Sequence, residues 1–215
     1  MGAVTVENVR QVLAEHVPLY RSRKPVYQAV LLGDLAEVWK GPHDRVLDLG
    51  GGTGVIAEAI QMLFSAGKVV AVDVVDRYLT TLSVETRVYD GCRLPFPDGS
   101  FDAATINNVL HHVPQEMRPR IMSEIARVVH GPIYIKDHIA ASRLDHWRLA
   151  VLDAIGNIPF GGQVDAQYLT MPEWDALAAA IDARIGATRC GPYRRGAMAW
   201  LFPNRLEVVF RFDRG

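Results

Sequence analysis

Four glycines and two carboxylates carry the densest chemical signal in this chain. Asp48, Gly50, Gly52 and Gly54 stand in the order D-x-G-x-G-x-G, inside Val46-Leu47-Asp48-Leu49-Gly50-Gly51-Gly52-Thr53-Gly54, where an apolar run meets a glycine loop. Glycine permits positive φ and lets a ligand lie against the main chain, and the helix expected to follow offers unpaired N–H groups at its start. A second apolar run, Lys68-Val69-Val70-Ala71-Val72-Asp73, ends in a carboxylate. Asp73 stands roughly twenty residues past the glycines, the spacing at which an acid accepts both hydroxyls of a ribose. The pattern points to an adenosine-type cofactor. By itself it does not say which, because Gly52-Thr53-Gly54-Val55-Ile56-Ala57 also fits the dinucleotide pattern G-x-G-x-x-A.

These residues need a sheet to hold them. Strand-like runs recur at Arg45–Leu49, Val69–Asp73, Thr86–Tyr89, Phe101–Ile106 and Ile133–Asp137, separated by helical spacing such as Ile56–Phe64 and Arg118–Val129. Such alternation predicts a parallel α/β sheet with helices on both faces and a ligand crevice at the C-terminal strand ends. Two or three helices are expected before the first strand. Thr170-Met171-Pro172-Glu173 predicts a capped helix start, with the helix over Glu173–Ile181. Leu144 to Leu152 has roughly helical spacing, residues 156–162 read as a loop over the crevice, and Leu206–Phe212 reads as a final strand.

Composition narrows the class. At 215 residues and 49% hydrophobic content, one domain with a full core is expected, spanning 1–215. Within it we expect a helical lid over 1–40, a cofactor-binding core over 45–137 and an acceptor side over 138–215. A net charge of −1 with no long basic run argues against a nucleic-acid partner. Two cysteines, no signal-like N-terminus and no long apolar run predict a soluble, cytoplasmic protein without a membrane partner.

Asp48 ahead of the glycines, taken with Asp90-Gly91-Cys92-Arg93-Leu94-Pro95-Phe96-Pro97-Asp98-Gly99-Ser100-Phe101-Asp102, resembles the class I S-adenosylmethionine-dependent methyltransferases. The likeness is to their small-molecule branch, typified by the ubiquinone and menaquinone C-methyltransferases, and it covers about Arg45 to Asp137. It implies a Rossmann-like seven-stranded, mostly parallel sheet with an N-terminal helical lid, and S-adenosyl-L-methionine as cofactor. It also implies roles. Gly50, Gly52 and Gly54 would cradle the methionine moiety, and Asp48 would orient the loop or receive the amino group. Asp73 would take the ribose diol. Asp90 would meet the adenine amino group with Gly91 and Cys92 as backbone neighbours, and Asn107 would contact the methionine portion.

Methyl transfer from a sulfonium needs alignment and dryness more than acid–base chemistry, so a base matters only if the acceptor must lose a proton. The candidates are His111 and His112 past the fourth strand and Asp137-His138 at the end of the fifth, with His138 preferred and His112 second, since histidine titrates near neutrality. Asp137-His138 and Asp145-His146 match no standard ligand spacing, so no metal site is expected. Trp147, Phe160, Tyr168, Trp174, Tyr193 and Trp200 are candidates to line an apolar acceptor pocket. The acceptor would be a small molecule, methylated at oxygen or carbon, and a homodimer is possible. Two rivals stand beside this reading. A nicotinamide-dependent oxidoreductase would need a Tyr-x-x-x-Lys set that is absent, and a methyltransferase-like binding protein without turnover would tolerate loss of the motifs that are intact here.

Overall fold

The computed structural model describes residues 4–157 and 166–215. Within them one seven-stranded sheet has the order β3-β2-β1-β4-β5-β7-β6. The strands are β1 (His43–Leu49), β2 (Ala66–Asp73), β3 (Glu85–Val88), β4 (Ala103–Asn107), β5 (Ile133–His138), β6 (Ala183–Arg189) and β7 (Glu207–Arg214). The first five are parallel, while β7 runs antiparallel to both β5 and β6. The order reverses at β1, where β2 lies on one side and β4 on the other. A topological switch of this kind opens the ligand crevice of a doubly wound sheet.

Helices cover both faces: α1 (Val6–His16), α2 (Val26–Val38), α3 (Val55–Leu63), α4 (Arg118–Val128), α5 (Arg143–Asn157), α6 (Met171–Ala179) and α7 (Gly196–Leu201). Central strands read as unbroken apolar runs because both faces are buried. On one face Leu47, Val70, Ile106 and Ile135 pack with Met122, Ile125 and Trp174. On the other, Val46, Val69 and Tyr134 pack with Leu13 and Leu32 of the N-terminal helices and Ile60 of α3. Leu13 and Leu32 are fully buried, so α1 and α2 are anchored in the core as well as bordering the crevice.

The expected elements occur with shifted ends. β3 begins one residue before the expected run, and α6 carries the expected capping box between Thr170 and Glu173. β6 was not legible. Its sequence Ala-Arg-Ile-Gly-Ala-Thr-Arg is an edge strand packed on one side, so it has no apolar run to betray it. Residues expected in the loop over 156–162 divide: Gly156 and Asn157 end α5, and 158–162 lie outside the described residues.

Candidate active site

β1 carries Asp48 to the crevice, and its register sets Thr105 of β4 directly opposite. Asp48 Oδ1 accepts from Thr105 Oγ1 at 2.6 Å and from Asn107 Nδ2 at 3.1 Å. Burial pushes the Asp48 carboxyl up to about 6, against the pull of those two donors. Asn107 Oδ1 is buried and has no hydrogen-bond partner among the described residues. A desolvated carboxylate without a cation, next to an orphaned amide oxygen, is the complement of an ammonium group.

The glycine loop lies beside this pair. Gly50 and Gly51 both donate to Val72 O, and Gly50, Gly52 and Gly54 all have positive φ. A Cβ on Gly50 would run into Val109, whereas one on Gly52 would meet nothing within 4 Å, so the Gly52 face is open. Asp73 Oδ2 accepts from the Gly52 N–H at 2.8 Å, and its Oδ1 accepts from Val75 at 3.1 Å. The acid expected to meet a ribose therefore also clasps the loop. A carboxylate has about four lone-pair sites, so capacity for hydroxyls is left. No side chain caps the start of α3 at Gly54.

Asp90 uses Oδ1 to accept from Cys92 and Arg93, both at 2.8 Å, which makes it the pivot of a tight turn. Those bonds hold its carboxyl below the usual carboxylate value. Gly91 and Cys92 line a shallow depression with Leu49, Tyr89, Leu94 and Ile121, where the resemblance places adenine. Asp102 accepts from Asp44 and Arg45 and pins the start of β1, a structural duty at the far end of the strand.

Sequence reasoning missed Tyr78. Residues 74–84, which link β2 to β3 without a helix, fold back over the glycine loop. The Tyr78 ring sits against Gly51 and Gly54, its hydroxyl donates to Arg87 O at 3.1 Å, and Leu82 fills the space a Gly54 side chain would need. Burial raises the Tyr78 hydroxyl, with Asp73 and Asp48 adding to the shift. His16 of α1 meets Thr81 of this connection at 2.9 Å, so the N-terminal helices brace it.

The histidines gather on the other side of β4. His111 is buried, with Nδ1 2.6 Å from Asp137 Oδ1. Burial lowers its pKa, but Asp137 and Asp153 outweigh burial and carry it to about 9. His112 lies beside it, ring centroids 4.0 Å apart, and lines a cavity of about 440 Å³ with His111, Val113, Pro114, Ala166 and Gln167. His138 faces inward: its Nε2 is 3.2 Å from Glu207 Oε2, and it is not among the residues lining that cavity. Lys136 donates to the same Glu207 at 2.5 Å, and to Tyr27 and Asn108 at 2.7 Å each. Of the aromatic candidates, Tyr168 stacks on His111 at 5.5 Å, Trp174 is core, Tyr193 packs on Tyr27, and Trp147 and Trp200 are exposed. Phe160 lies outside the described residues.

With this geometry in view, residues 47–131 match the family described as Methyltransferase domain. Over those residues, 85 of 215, the chain is similar to methyltransferases. A demethylmenaquinone methyltransferase from Mycobacterium sp. (strain KMS) is 41% identical over 80 residues, covering 34% of this chain and 34% of that one. The match thus spans about a third of the length of the curated relative. Solved structures share the fold across nearly the whole chain. A putative methyltransferase solved with the Haloferax volcanii Trm112 activator has a TM-score of 0.68 at 15% identity, covering 98% of this chain and 99% of that chain. Geranyl diphosphate C-methyltransferase from Streptomyces coelicolor A3(2) has a TM-score of 0.64 at 15% identity, covering 100% and 86%.

Proposed function

We propose that this protein transfers the methyl group of S-adenosylmethionine to an oxygen or carbon of a small organic acceptor by direct displacement. The observation that carries the reading is the buried Asp48 carboxylate beside the unpartnered Asn107 Oδ1, next to Gly51 of a glycine loop whose Gly52 is open. Bound there, the donor supplies an already activated sulfonium methyl. Asp48 and Asn107 would accept its amino group, Asp73 its ribose hydroxyls, and the Gly91-Cys92 backbone its adenine edge. Gly50, packed on Val109, and Gly54, packed on Leu82, hold the loop in register for this. Tyr78 covers the loop and keeps water from the crevice.

The acceptor would enter from the cavity beside His112. His112 is the better placed general base for an acceptor that must lose a proton. His138, paired with Glu207, would hold the floor of the site in place. Among the described residues no helix is long and apolar enough to cross a membrane.

Calorimetry with S-adenosylmethionine, S-adenosylhomocysteine and NAD tests the donor. Tight binding of S-adenosylhomocysteine is expected, and binding of NAD alone would overturn the reading. Mass spectrometry of an acceptor screen, seeking a 14 Da gain that requires S-adenosylmethionine, tests turnover. Sedimentation of the same samples decides whether the active species is a homodimer.

A further inference from the structure

We propose that His111, His112 and Asp153 bind one divalent cation of the zinc type, with an open coordination position toward the cavity bounded by Val113, Pro114 and Gln167. The three residues come from two distant stretches, the 3₁₀ turn after β4 and the last third of α5. One ligand atom from each lies within 4.8 Å of the others.

His111 carries the argument. Its side chain is 1% exposed and its Nδ1 is engaged by Asp137 at 2.6 Å. The other ring nitrogen, Nε2, is buried without a hydrogen-bond partner and points toward Asp153 Oδ1, 3.7 Å away. Metal-binding histidines are almost always held this way, one nitrogen donating to a carboxylate so that the other presents its lone pair to the ion. Asp137 is fixed for that task, since it also accepts from the Leu110 and His138 backbone N–H groups.

Distances agree. His112 Nε2 lies 3.8 Å from the same Asp153 Oδ1. Zinc ligand bonds near 2.0–2.1 Å in a tetrahedron separate ligand atoms by about 3.4 Å, so both histidine–aspartate distances need close by only a few tenths of an ångström, while the two imidazoles, within 4.8 Å of each other, draw together around the ion. A second grouping, His111 with Asp137 and His138, has the requisite residue types but the wrong spacing. Its 2.6 Å contact between His111 and Asp137 is a hydrogen bond, too short for two ligands of one ion.

Two imidazoles and one carboxylate suit zinc, cobalt or iron(II) better than magnesium, which favours oxygen ligands. Three protein ligands leave a fourth position, as in zinc sites that bind substrate or water. His112 lines the cavity, so that position faces the space assigned to the acceptor. Ion binding does not depend on the transfer reading; holding an acceptor oxygen at the fourth position rests on it.

The test uses the full-length protein stripped with a chelator, then titrated with Zn²⁺ by calorimetry and with Co²⁺ by visible absorption. One equivalent is expected to bind at micromolar affinity or better, with the d–d bands of a four- or five-coordinate Co²⁺ site. Asp153→Asn and His112→Gln, at partly buried positions, are each expected to weaken binding at least tenfold with unchanged circular dichroism. His130→Gln, at an exposed histidine elsewhere, is expected to leave it unchanged. Absence of a stoichiometric ion, or an affinity that neither site variant alters, overturns the proposal. S-adenosylhomocysteine titrated into the same stripped samples separates the two readings. Intact binding there with no ion leaves the donor reading standing, and an ion bound without donor binding does the reverse.

Discussion

The carboxylate of Asp73 accepts a hydrogen bond from the Gly52 N–H at 2.8 Å, tying the end of β2 to the centre of the glycine loop. The acid is thus both a candidate ribose ligand and a fastener of the loop that cradles the rest of the donor. Asp73→Ala is expected to weaken S-adenosylhomocysteine binding by about tenfold or more, because hydrogen bonds to a charged group are worth roughly 1.5–3 kcal/mol. Asp73→Asn should behave differently: its amide oxygen can still accept from Gly52, so the melting temperature should stay closer to the parent while affinity falls. Calorimetry and thermal unfolding on both variants separate the two duties.

Gly50 and Gly52 should respond oppositely to the same alanine substitution. Both have positive φ, +72° and +56°, which costs an L side chain about 1 kcal/mol. Gly50→Ala also drives its Cβ into Val109, so a loss of about 2–4 kcal/mol is expected, partly restored by Val109→Ala. Gly52→Ala meets no protein atom within 4 Å, so it should fold with little loss yet fail to bind donor. Denaturant unfolding together with S-adenosylhomocysteine titration reads both effects.

Asp48 sets a pH signature. Burial lifts its pKa to about 6, whereas the unfolded chain titrates it near 4. The native state therefore holds the extra proton between those values, and its contribution to stability is full below pH 4 and lost as pH rises through 6. In Asp48→Asn this decline should vanish from the unfolding free energy measured across pH 4–7. An ammonium favours the ionised carboxylate, so parent affinity for S-adenosylhomocysteine should fall by up to about tenfold per pH unit below 6.

The Lys136–Glu207 pair is fully enclosed, at 0% and 1% side-chain exposure. Burial opposes both charges, but each partner outweighs it, so the lysine is held above and the glutamate far below its ordinary value. Lys136→Met leaves the glutamate with Arg194 and His138 alone and should cost up to about 3–5 kcal/mol, or up to roughly 6 to 20 °C in melting temperature. Adding Glu207→Gln should recover only part, since Glu207 also pairs with Arg194 and His138. Thermal melts of the single and double variants close the cycle.

The candidate donor side was legible as a cluster because its signals are local. A glycine loop declares itself by residues that need positive φ, and Asp48 and Asp73 stand at fixed offsets from it on strands whose apolar runs are unmistakable. Asp90 was legible as a position, and the structure adds that its Oδ1 turns the chain at Cys92 and Arg93, as acid-glycine pairs do. β6 stayed hidden because an edge strand alternates weakly, and Tyr78 because no periodic element carries it.

By itself the sequence determined the order of the first five strands, a crevice at their C-terminal ends, and the residue types that would face a donor. These follow from hydrophobic period and glycine placement, which act over a few residues. Only the tertiary structure decided which distant side chains meet. It buried His138 against Glu207, left His112 on the cavity, and brought Asp153 of α5 within 4 Å of His111 and His112. Side chains some forty residues apart in sequence, as His111 and Asp153 are, leave no periodic trace of their contact. Their meeting depends on how a helix crosses the sheet, which is set by packing across the whole core.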